Sequence, residues 1–573
     1  MSARPIGLRL AFRGEGLTHA VLVCVVSLFC GLPLVLLFQL GLTADGAFGL
    51  AGVWDALQSR TVQRALWNSL ESSFLAALGA TLVGLVLALL IGLTNIRRKG
   101  VLVFLVLLPM MIPPHVTAIA WIQALGPASP VLSALGLAPQ AGATHPIYSL
   151  GGIVALLTIQ HAPLVFLVVR AALRNFPREL SDAARISGAG PWRMMRTVIV
   201  PLLSPALFAG FTLAFIAALG NFGILALLGI PARYTTLPVL IWRRLASFGP
   251  DMLQNVAVIS IILALVTLSV LTVQILIQRR LRLSLIGLPQ APLAIDLGRG
   301  RLIAEICIWG LLAVILVLPM ASLLATALVP TYGVPLSWQT LTFDNFVEVI
   351  TRQSVTLRAF MNSSVTAGVA AVLIAGIAIG LGHALAARRS LSQRVANIAS
   401  GQAELAYAIP GLVISIAFIL AFIRPLPLLN ITLYGTIWII LLAYVSAFLA
   451  IGLKPVAAAY TQLDPSLDDA ARAAGATYIT RMRRVFAPLV APAAVSGAIL
   501  VFLTAYNEVT VSALLWSTGA ETIGTVIFNY EDGGYTTLSA AMAALTVAMT
   551  AVLMVALNLT VRRLPPGVIP WRD

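Results

Sequence analysis

Twelve long apolar runs, separated by short polar segments, dominate the sequence. A helix needs roughly 20 consecutive apolar residues to cross the ~30 Å hydrocarbon core of a bilayer, and each run reaches that length. The runs therefore predict twelve membrane-spanning helices, near residues 18–40, 69–94, 101–125, 148–173, 198–229, 255–278, 303–328, 363–387, 395–423, 433–453, 485–518 and 538–561.

Two kinds of irregularity interrupt these runs. The runs at 198–229 and 485–518 are too long for one simple crossing, so we expect them to include polar or broken ends. Pro113, Pro114 and Pro410 lie inside other runs, and a proline removes a helical N–H and clashes with the preceding turn. We expect helix breaks there near mid-membrane, where protein or a cavity must cover the freed backbone.

Composition leads to the same class of protein. Hydrophobic residues make up 60% of the chain and charged residues only 10%, and the mean hydropathy is +0.99. An ordinary globular chain is about one quarter charged, so too little polar surface is present to coat a soluble particle of this size. The predicted fold class is an all-α integral membrane protein of about twelve transmembrane helices.

The basic residues indicate an orientation. A net charge of +16 could indicate a nucleic-acid partner on a soluble protein, but here Lys and Arg occupy short loops between apolar runs, so we expect no nucleic acid. With an even number of spans both termini lie on one side of the bilayer. That side collects 28 of the 36 Lys and Arg residues, and the opposite side collects 8. The positive-inside rule therefore predicts cytoplasmic termini.

The sequence also contains an internal duplication. Asp182 and Asp469 are 287 positions apart, and several residue types recur at that offset. The recurring pairs are Ala183 with Ala470, Ala184 with Ala471, Arg185 with Arg472, Gly188 with Gly475, Pro201 with Pro488 and, with changed side chains, Asn221 with Glu508. Upstream, RALWNS at 64–69 resembles RAFMNS at 358–363. We predict two homologous six-span halves, 1–285 and 286–573, related as a parallel pseudo-symmetric repeat.

Each half carries a polar motif on the predicted cytoplasmic side. It consists of Asp-Ala-Ala, three residues, Gly, nine residues, a valine, and Pro three positions later, and begins at Asp182 and at Asp469. The alanines favour a helix with a low-profile surface, and Gly188 and Gly475 can end that helix or permit close approach. We therefore predict one short helix parallel to the membrane surface in each half, shaped to fit a groove.

This motif resembles the EAA motif, EAA-x3-G-x9-I-x-L-P, of type I ATP-binding-cassette importer permeases, and the resemblance covers both halves. It implies a coupling helix in each half, with Asp182, Ala183, Ala184 and Gly188 in the first and Asp469, Ala470, Ala471 and Gly475 in the second. The usual Glu is Asp in both copies. The resemblance further implies a bacterial inner-membrane location, two copies of a partner ATPase on the cytoplasmic side, and a periplasmic substrate-binding protein.

The chain itself carries no G-x4-G-K-[ST] phosphate loop, metal-ligand spacing or catalytic constellation. We therefore expect a permease subunit rather than an enzyme, with no cofactor bound by this chain and with ATP and Mg on the partner ATPase. A secondary transporter, driven by an ion gradient, fits the duplicated layout but not the doubled motif. An intramembrane enzyme lacks a catalytic set.

Substrate identity is weakly encoded. The stretches LPMMIPPHVTAIAWIQALGP, YTTLPVLIW and NEVTVSALLWSTGAETIGTVIFNYEDGG resemble fused permeases of the ferric-iron branch. Ferric iron is therefore the first expectation, and thiamine, 2-aminoethylphosphonate and sugar phosphates, carried by related permeases, are the alternatives.

Polar residues inside the apolar runs are candidates for a translocation path, because an unpaired polar group facing lipid is costly. The candidates are Gln160, Asn221, Asn507 and Glu508. Packing between helices is the competing interpretation for each of them. His161 is interpreted as a hydrogen-bonded packing group rather than a metal ligand, and Glu404, opposite an apolar residue in the first half, as a locally paired group.

Overall fold

The computed structural model describes residues 6–44, 47–127, 129–134, 136–139, 145–174, 176, 178–247, 251–280, 295–387, 391–425 and 430–560. Apart from a two-residue hairpin, β1 (Thr43–Ala44) and β2 (Ala47–Phe48), the regular elements within these ranges are helical. The expected all-α membrane fold is confirmed. The predicted boundary between the halves, at 285/286, lies outside the described residues.

The first half contains fifteen α-helices within the described residues. They are α1 (Ile6–Val26), α2 (Leu32–Gly41), α3 (Ala51–Gln58), α4 (Arg60–Leu93), α5 (Lys99–Met111), α6 (Pro114–Leu125), α7 (Pro130–Ala134), α8 (Leu150–Arg174), α9 (Arg178–Ile186), α10 (Pro191–Met194), α11 (Val200–Leu202), α12 (Ser204–Leu219), α13 (Gly223–Gly229), α14 (Leu237–Leu245) and α15 (Met252–Arg280).

The second half contains thirteen α-helices over the part of the chain that is described. They are α16 (Gly300–Leu312), α17 (Leu318–Ala327), α18 (Asp344–Val347), α19 (Ser354–Ala386), α20 (Leu391–Ala408), α21 (Gly411–Phe422), α22 (Ile437–Thr461), α23 (Ser466–Ala473), α24 (Tyr478–Arg481), α25 (Ala487–Tyr506), α26 (Ser512–Leu515), α27 (Ile523–Asp532) and α28 (Thr536–Thr560).

Nine helices in the described residues are long and apolar enough to cross a bilayer, and three bent pairs bring the number to as many as twelve. Two of the bends lie where the prolines predicted them. α5 and α6 meet at 98°, and α20 and α21 meet at 115°. The long run at 198–229 is also broken as expected, because α12 ends at Leu219 and α13 begins at Gly223.

The described chain forms two compact units that do not coincide with the sequence halves. One unit takes the described residues within 1–50, 355–525 and 549–573, and the other takes those within 51–354 and 526–548. In the former, α1 and α2 pack against α20 and α21. In the latter, α17 packs against α6. The first span of each half therefore packs on helices of the other half.

The halves repeat each other's backbone irregularities. A five-residue π-helical turn follows the first stretch of each leading span, at Ser27–Gly31 and Ala313–Val317. A second pair lies after each polar motif, at Met195–Ile199 and Met482–Phe486. Another π-turn, Glu348–Arg352, lies in the second half. Irregularities that recur at matching positions are properties of the repeated unit rather than local accidents, and π-bulges are frequent at functional sites.

Candidate functional site

The two polar motifs form short helices, α9 and α23, as the sequence predicts; we call them the motif helices. α9 ends at Ile186, and Gly188, two residues later, has a φ of +76° in the left-handed region. The Gly188 N–H donates to the Arg185 carbonyl at 2.9 Å, and the Ala189 N–H donates to the Ala184 carbonyl at 2.9 Å. This pair of bonds is the Schellman arrangement, which satisfies carbonyls that the last helical turn would leave without partners.

The second motif helix ends in the same way. Gly475 has a φ of +74°, and its N–H donates to the Arg472 carbonyl at 2.9 Å. The Ala476 N–H donates to the Ala471 carbonyl at 3.1 Å. Of the two roles considered for the motif glycines, the structure supports helix termination, because a Cβ on Gly188 or Gly475 would have no atom within 4 Å. The space beside each glycine is open.

Each motif helix, and the short helix that follows it (α10 or α24), exposes an apolar side chain at an equivalent position. Leu180 and Leu467, 287 positions apart, are 39% and 37% exposed. Trp192 and Ile479, also 287 apart, are 78% and 73% exposed. Large apolar side chains are thus exposed at matching positions of the two polar segments.

Gln160, a candidate for the translocation path, lies on α8 beside the break between α5 and α6. Its amide nitrogen donates to the carbonyls of Pro109 at 3.2 Å and Ile112 at 3.4 Å. In an unbroken helix the Pro109 carbonyl would accept from residue 113, which is a proline without an N–H. Gln160 thus supplies the donor that the break removes, from the neighbouring helix α8.

Asn221 and Glu508 have equivalent roles in their own halves. The Asn221 Oδ1 accepts from the Ile224 N–H at 3.0 Å, at the start of α13. The Glu508 carboxylate accepts from the N–H groups of Val511 at 2.7 Å and Ser512 at 3.2 Å, at the start of α26. Both side chains therefore cap a short helix that follows a break in a long span.

Each capped helix lies directly against the helix that follows the proline break. A Cβ on Gly223 of α13 would be 3.0 Å from the backbone nitrogen of His115 on α6. A Cβ on Gly411 of α21 would be 3.0 Å from the Val511 side chain, next to α26. In each half the two helices can approach closely because one of them carries a glycine at the contact. In the first half the glycine is on the capped helix α13, and in the second half it is on α21, the helix after the proline break.

The remaining polar candidates have local surroundings. The Asn507 amide donates to the Leu503 carbonyl at 3.1 Å, and its Oδ1 accepts from Thr550 at 3.4 Å. His161 is buried on α8, and its Nε2 has no hydrogen-bond partner among the described residues. Glu404 is exposed on α20. No group of three or more His, Cys, Asp and Glu side chains suited to a metal occurs in the described ranges.

The repeated RALWNS and RAFMNS segments have a structural role that is not evident from the sequence. Asn68 donates to the Thr235 carbonyl at 2.9 Å, and Ser69 accepts from the Leu237 N–H at 2.8 Å. In the second half, Asn362 donates to the Glu521 carbonyl at 2.9 Å, and Ser363 accepts from the Ile523 N–H at 2.9 Å. The Asn-Ser pair thus holds the segment before α14 or α27. The recurrence of Asn-Ser at 68–69 and at 362–363 was the sequence signal that could have indicated this role.

An ion pair strengthens this connection in the second half. Arg358 contacts Glu521 through two bonds, of 2.8 and 3.1 Å. Burial raises the pKa of Glu521, but the hydrogen bond from Arg358, backbone hydrogen bonds and the Arg358 charge outweigh it and lower the pKa overall. A carboxyl group with a lowered folded pKa contributes stability above its ordinary pKa and loses it as the pH falls through the folded value.

We expect Arg358→Gln to lower the thermal unfolding midpoint at neutral pH, because Glu521 would lose its charged partner. The deficit should shrink as the pH falls through the ordinary pKa of a glutamate and then through the lowered folded-state pKa of Glu521, because the carboxyl group is then protonated in both proteins. Unfolding of the detergent-solubilised chain, followed by intrinsic fluorescence across this pH range, measures the effect. Arg64→Gln, at the exposed equivalent position, is the control. A deficit that does not change with pH would contradict the ion-pair explanation.

Two short helices ending in left-handed glycines, two proline-broken spans and two capped helices thus recur in a polytopic helical membrane protein. Such an arrangement defines a membrane permease built from two repeats. The family model described as "Binding-protein-dependent transport system inner membrane component" matches residues 80–283 and again 376–570. The chain belongs to this family and is a fused permease subunit of an ATP-binding-cassette importer.

Several curated relatives are similar to the chain. It is 25% identical over 562 residues to the probable ABC transporter permease protein y4fN of Sinorhizobium fredii, covering 95% of this chain and 96% of the relative. It is 25% identical to the ferric transport system permease protein FbpB of Actinobacillus pleuropneumoniae, covering 93% and 76%. The molybdenum transport system permease protein ModB of Escherichia coli is 30% identical, covering 36% and 90%.

Among solved structures, a bacterial ABC transporter involved in the import of the acidic polysaccharide alginate matches with a TM-score of 0.40 and 21% identity. The match covers 48% of this chain and 99% of that chain.

Proposed function

We propose that this chain forms the whole transmembrane pathway of an ATP-driven importer in a bacterial inner membrane, and that each motif helix receives one ATP-binding-cassette ATPase subunit. ATP and Mg bind on those partners, and a periplasmic binding protein delivers the substrate. The observation that carries the proposal is the pair of motif helices. They share a helix end and an open glycine, and each exposes one large apolar side chain while the short helix that follows exposes another, as expected for two copies of one docking surface.

The orientation is part of the proposal. The excess of Lys and Arg on the side of the termini supports cytoplasmic termini, and that side also bears both motif helices. A docking surface for an ATPase has to lie in the cytoplasm, where ATP is available. The charge distribution and the docking role therefore support the same orientation.

Ferric iron is the proposed substrate. The similarity to the ferric transport system permease extends over 93% of this chain. The named 2-aminoethylphosphonate and molybdenum permeases match over little more than one third of it. This near-complete alignment supports iron over 2-aminoethylphosphonate, and over the molybdate that the name of the molybdenum permease suggests. Thiamine and sugar phosphates stay the other alternative substrates.

The test is reconstitution of the chain in liposomes, with a cassette ATPase and a periplasmic binding protein from the same organism. We expect the ATPase to co-purify with the chain, and uptake to require ATP inside, binding protein outside and the substrate bound by that protein. Uptake driven by an ion gradient without any ATPase would overturn the proposal. Uptake of a phosphonate or molybdate in place of ferric iron would overturn the substrate assignment alone.

Cysteine labelling in the same membranes tests the orientation. Ile186 on α9 is 87% exposed, and Trp338, in the segment predicted on the opposite side, is 95% exposed. In a chain whose three native cysteines are replaced, we expect Ile186→Cys to react only from the cytoplasmic side and Trp338→Cys only from the periplasmic side. The reverse pattern would overturn the proposed orientation.

A further inference from the structure

A cavity of about 490 Å³ lies beside the first membrane span, between α2 and α20; we call it the α2–α20 groove. One wall runs from Cys30, in the π-turn before α2, to Gln39 near the end of α2. Gln402 and Leu405 of α20 form the opposite wall, and both walls belong to the same compact unit. Ligand pockets in proteins have volumes of about 300–1,000 Å³, so the groove is large enough to hold a ligand.

The groove lies at membrane depth. Its wall on the first span covers residues 30–39 of the candidate span Gly16–Gly41, and α20 is part of a broken span. This stretch of helix is roughly 13 Å long, somewhat less than half of the ~30 Å hydrocarbon core. Val35, on the wall, is 60% exposed, so the groove opens on the outer surface of a span. A molecule that enters it from the side therefore comes from the hydrocarbon layer of the bilayer.

Small residues make room for the inner end of the groove. The π-turn Ser27–Gly31 faces α20, and a Cβ on Gly31 would be only 3.1 Å from the Gln402 Nε2. The Ser27 Oγ donates to the Gln402 Oε1 at 2.8 Å. The missing side chain of Gly31 thus admits the Gln402 amide, and the hydrogen bond from Ser27 fixes that amide in place.

The leading span of the second half has larger side chains at the equivalent positions. The Leu-Pro pair after each π-turn, which recurs 286 positions apart, aligns the two leading spans. In this alignment Cys30 and Gly31 correspond to Leu316 and Val317. The room beside the first span is therefore not imposed by the fold that the halves share, because it depends on small residues that the second half lacks.

The polarity of the lining indicates the occupant. Gln402 lies at the inner end and Gln39 at the outer end, and the described side chains between them are apolar apart from the Cys30 thiol. None of the described lining residues is charged. Within a bilayer, packing rather than exclusion of water favours contact between apolar surfaces, and an unfilled cavity forfeits the contacts of its walls. A hydrocarbon chain supplies these contacts, whereas an ion or a polar solute finds no partner along the middle of the groove.

We propose that the α2–α20 groove binds one acyl chain of a membrane phospholipid, with the chain along Leu34 and Phe38 and the headgroup beyond Gln39, where the span ends. The bound lipid packs the first span against α20, next to the break at Pro410. The site goes beyond the proposed transport function and does not depend on it. Only the leaflet follows from the proposed orientation: with cytoplasmic termini, residues 30–39 lie on the periplasmic side of the bilayer.

Photo-crosslinking of the full chain in lipid nanodiscs tests the site. The nanodiscs contain phosphatidylethanolamine and a small fraction of the same lipid with a diazirine on one acyl chain, and peptide mass spectrometry locates the adducts. Because an unfilled cavity is costly, we expect residues 30–39 and 402–405 to carry about tenfold more lipid adduct than residues 316–325. That control stretch is the equivalent part of the other leading span, and Val317 and Leu324 within it are exposed. Equal labelling of the two leading spans would overturn the proposal.

Val35→Trp fills the groove from its exposed wall without changing a buried residue. The substitution should lower the adduct at residues 402–405 about tenfold. Val86→Trp is the matched control, because Val86 lies on α4, is 52% exposed and does not line the groove, so labelling should not change. Unchanged labelling in Val35→Trp would overturn the proposal, and so would an equal loss in both variants.

The unfolding midpoint of the detergent-solubilised chain provides a second measurement, which needs no photochemistry. A ligand that binds only the folded chain raises its stability as the ligand concentration rises. Added phosphatidylethanolamine should therefore raise the midpoint of the wild type and of Val86→Trp more than that of Val35→Trp. The same rise in all three proteins would contradict a lipid site in the groove. Both experiments use the chain without an ATPase, so their outcome is separate from that of the proposed function.

Discussion

Replacing Gly475 with glutamate is expected to reduce ATP-driven uptake at least about tenfold while the chain remains inserted in the membrane. Two effects act together. A side chain in the left-handed region costs roughly 1–2 kcal/mol, which loosens the helix end that this glycine terminates. The new carboxylate also enters the open space beside α23, where an unpaired charge would be buried by a docked partner.

Gly188→Glu should have an effect of the same kind on the first motif helix. Gly435→Glu is the matched control, because Gly435 also has a positive φ, +78°, and open space around it, but lies outside both motifs. The measurements are uptake in liposomes, ATPase co-purification and the amount of chain in the membrane. Unchanged ATP-dependent uptake in both motif variants would refute the docking role, as would an equal loss in the Gly435 variant.

The second large effect is expected at Glu508. Glu508→Ala removes the acceptor for two backbone N–H groups at the start of α26, and the loss of a cap costs about 1–2 kcal/mol. Because α26 packs on the helix after the proline break, we expect a lower unfolding midpoint and an altered rate of uptake or of basal ATP hydrolysis.

Glu508→Asn distinguishes capping from a role of the charge in a translocation path. Asparagine is the residue that caps α13 at the equivalent position of the first half, Asn221. If capping is the function, the Asn variant should retain most of the stability and transport that the Ala variant loses. A loss as large in Glu508→Asn as in Glu508→Ala would show that the negative charge itself is needed. Wild-type behaviour of the Ala variant would eliminate the cap as an explanation.

Local features were readable from the sequence because their causes are local. Pro113 and Pro410 break their helices because proline has no N–H to donate, whatever packs around them. The bends of 98° between α5 and α6 and of 115° between α20 and α21 are the result. Gly188 and Gly475 end their helices because the left-handed conformation favours glycine. Each inference needed only residues within one or two helical turns.

Partners far away in the chain were not readable in this way. Gln160 was a candidate for the translocation path, but its amide donates to the Pro109 carbonyl at the break in α5 and α6. The sequence contained both the glutamine and the proline, yet nothing local related them. The same holds for the Asn-Ser pairs at 68–69 and 362–363, whose bonds reach segments more than 150 residues away.

The sequence by itself determined the class of protein, because a bilayer imposes length and apolarity on every span. It also determined the doubled motif, because each copy, with its helix-ending glycine, is one continuous stretch of the chain. Only the tertiary structure decided which helices each leading span packs on, because all spans are similarly apolar and none encodes its neighbour. It also decided that the Asp468 carboxylate lies 3.0 Å from Arg481 and 4.0 Å from His383. Such contacts form only where folding brings separated residues together.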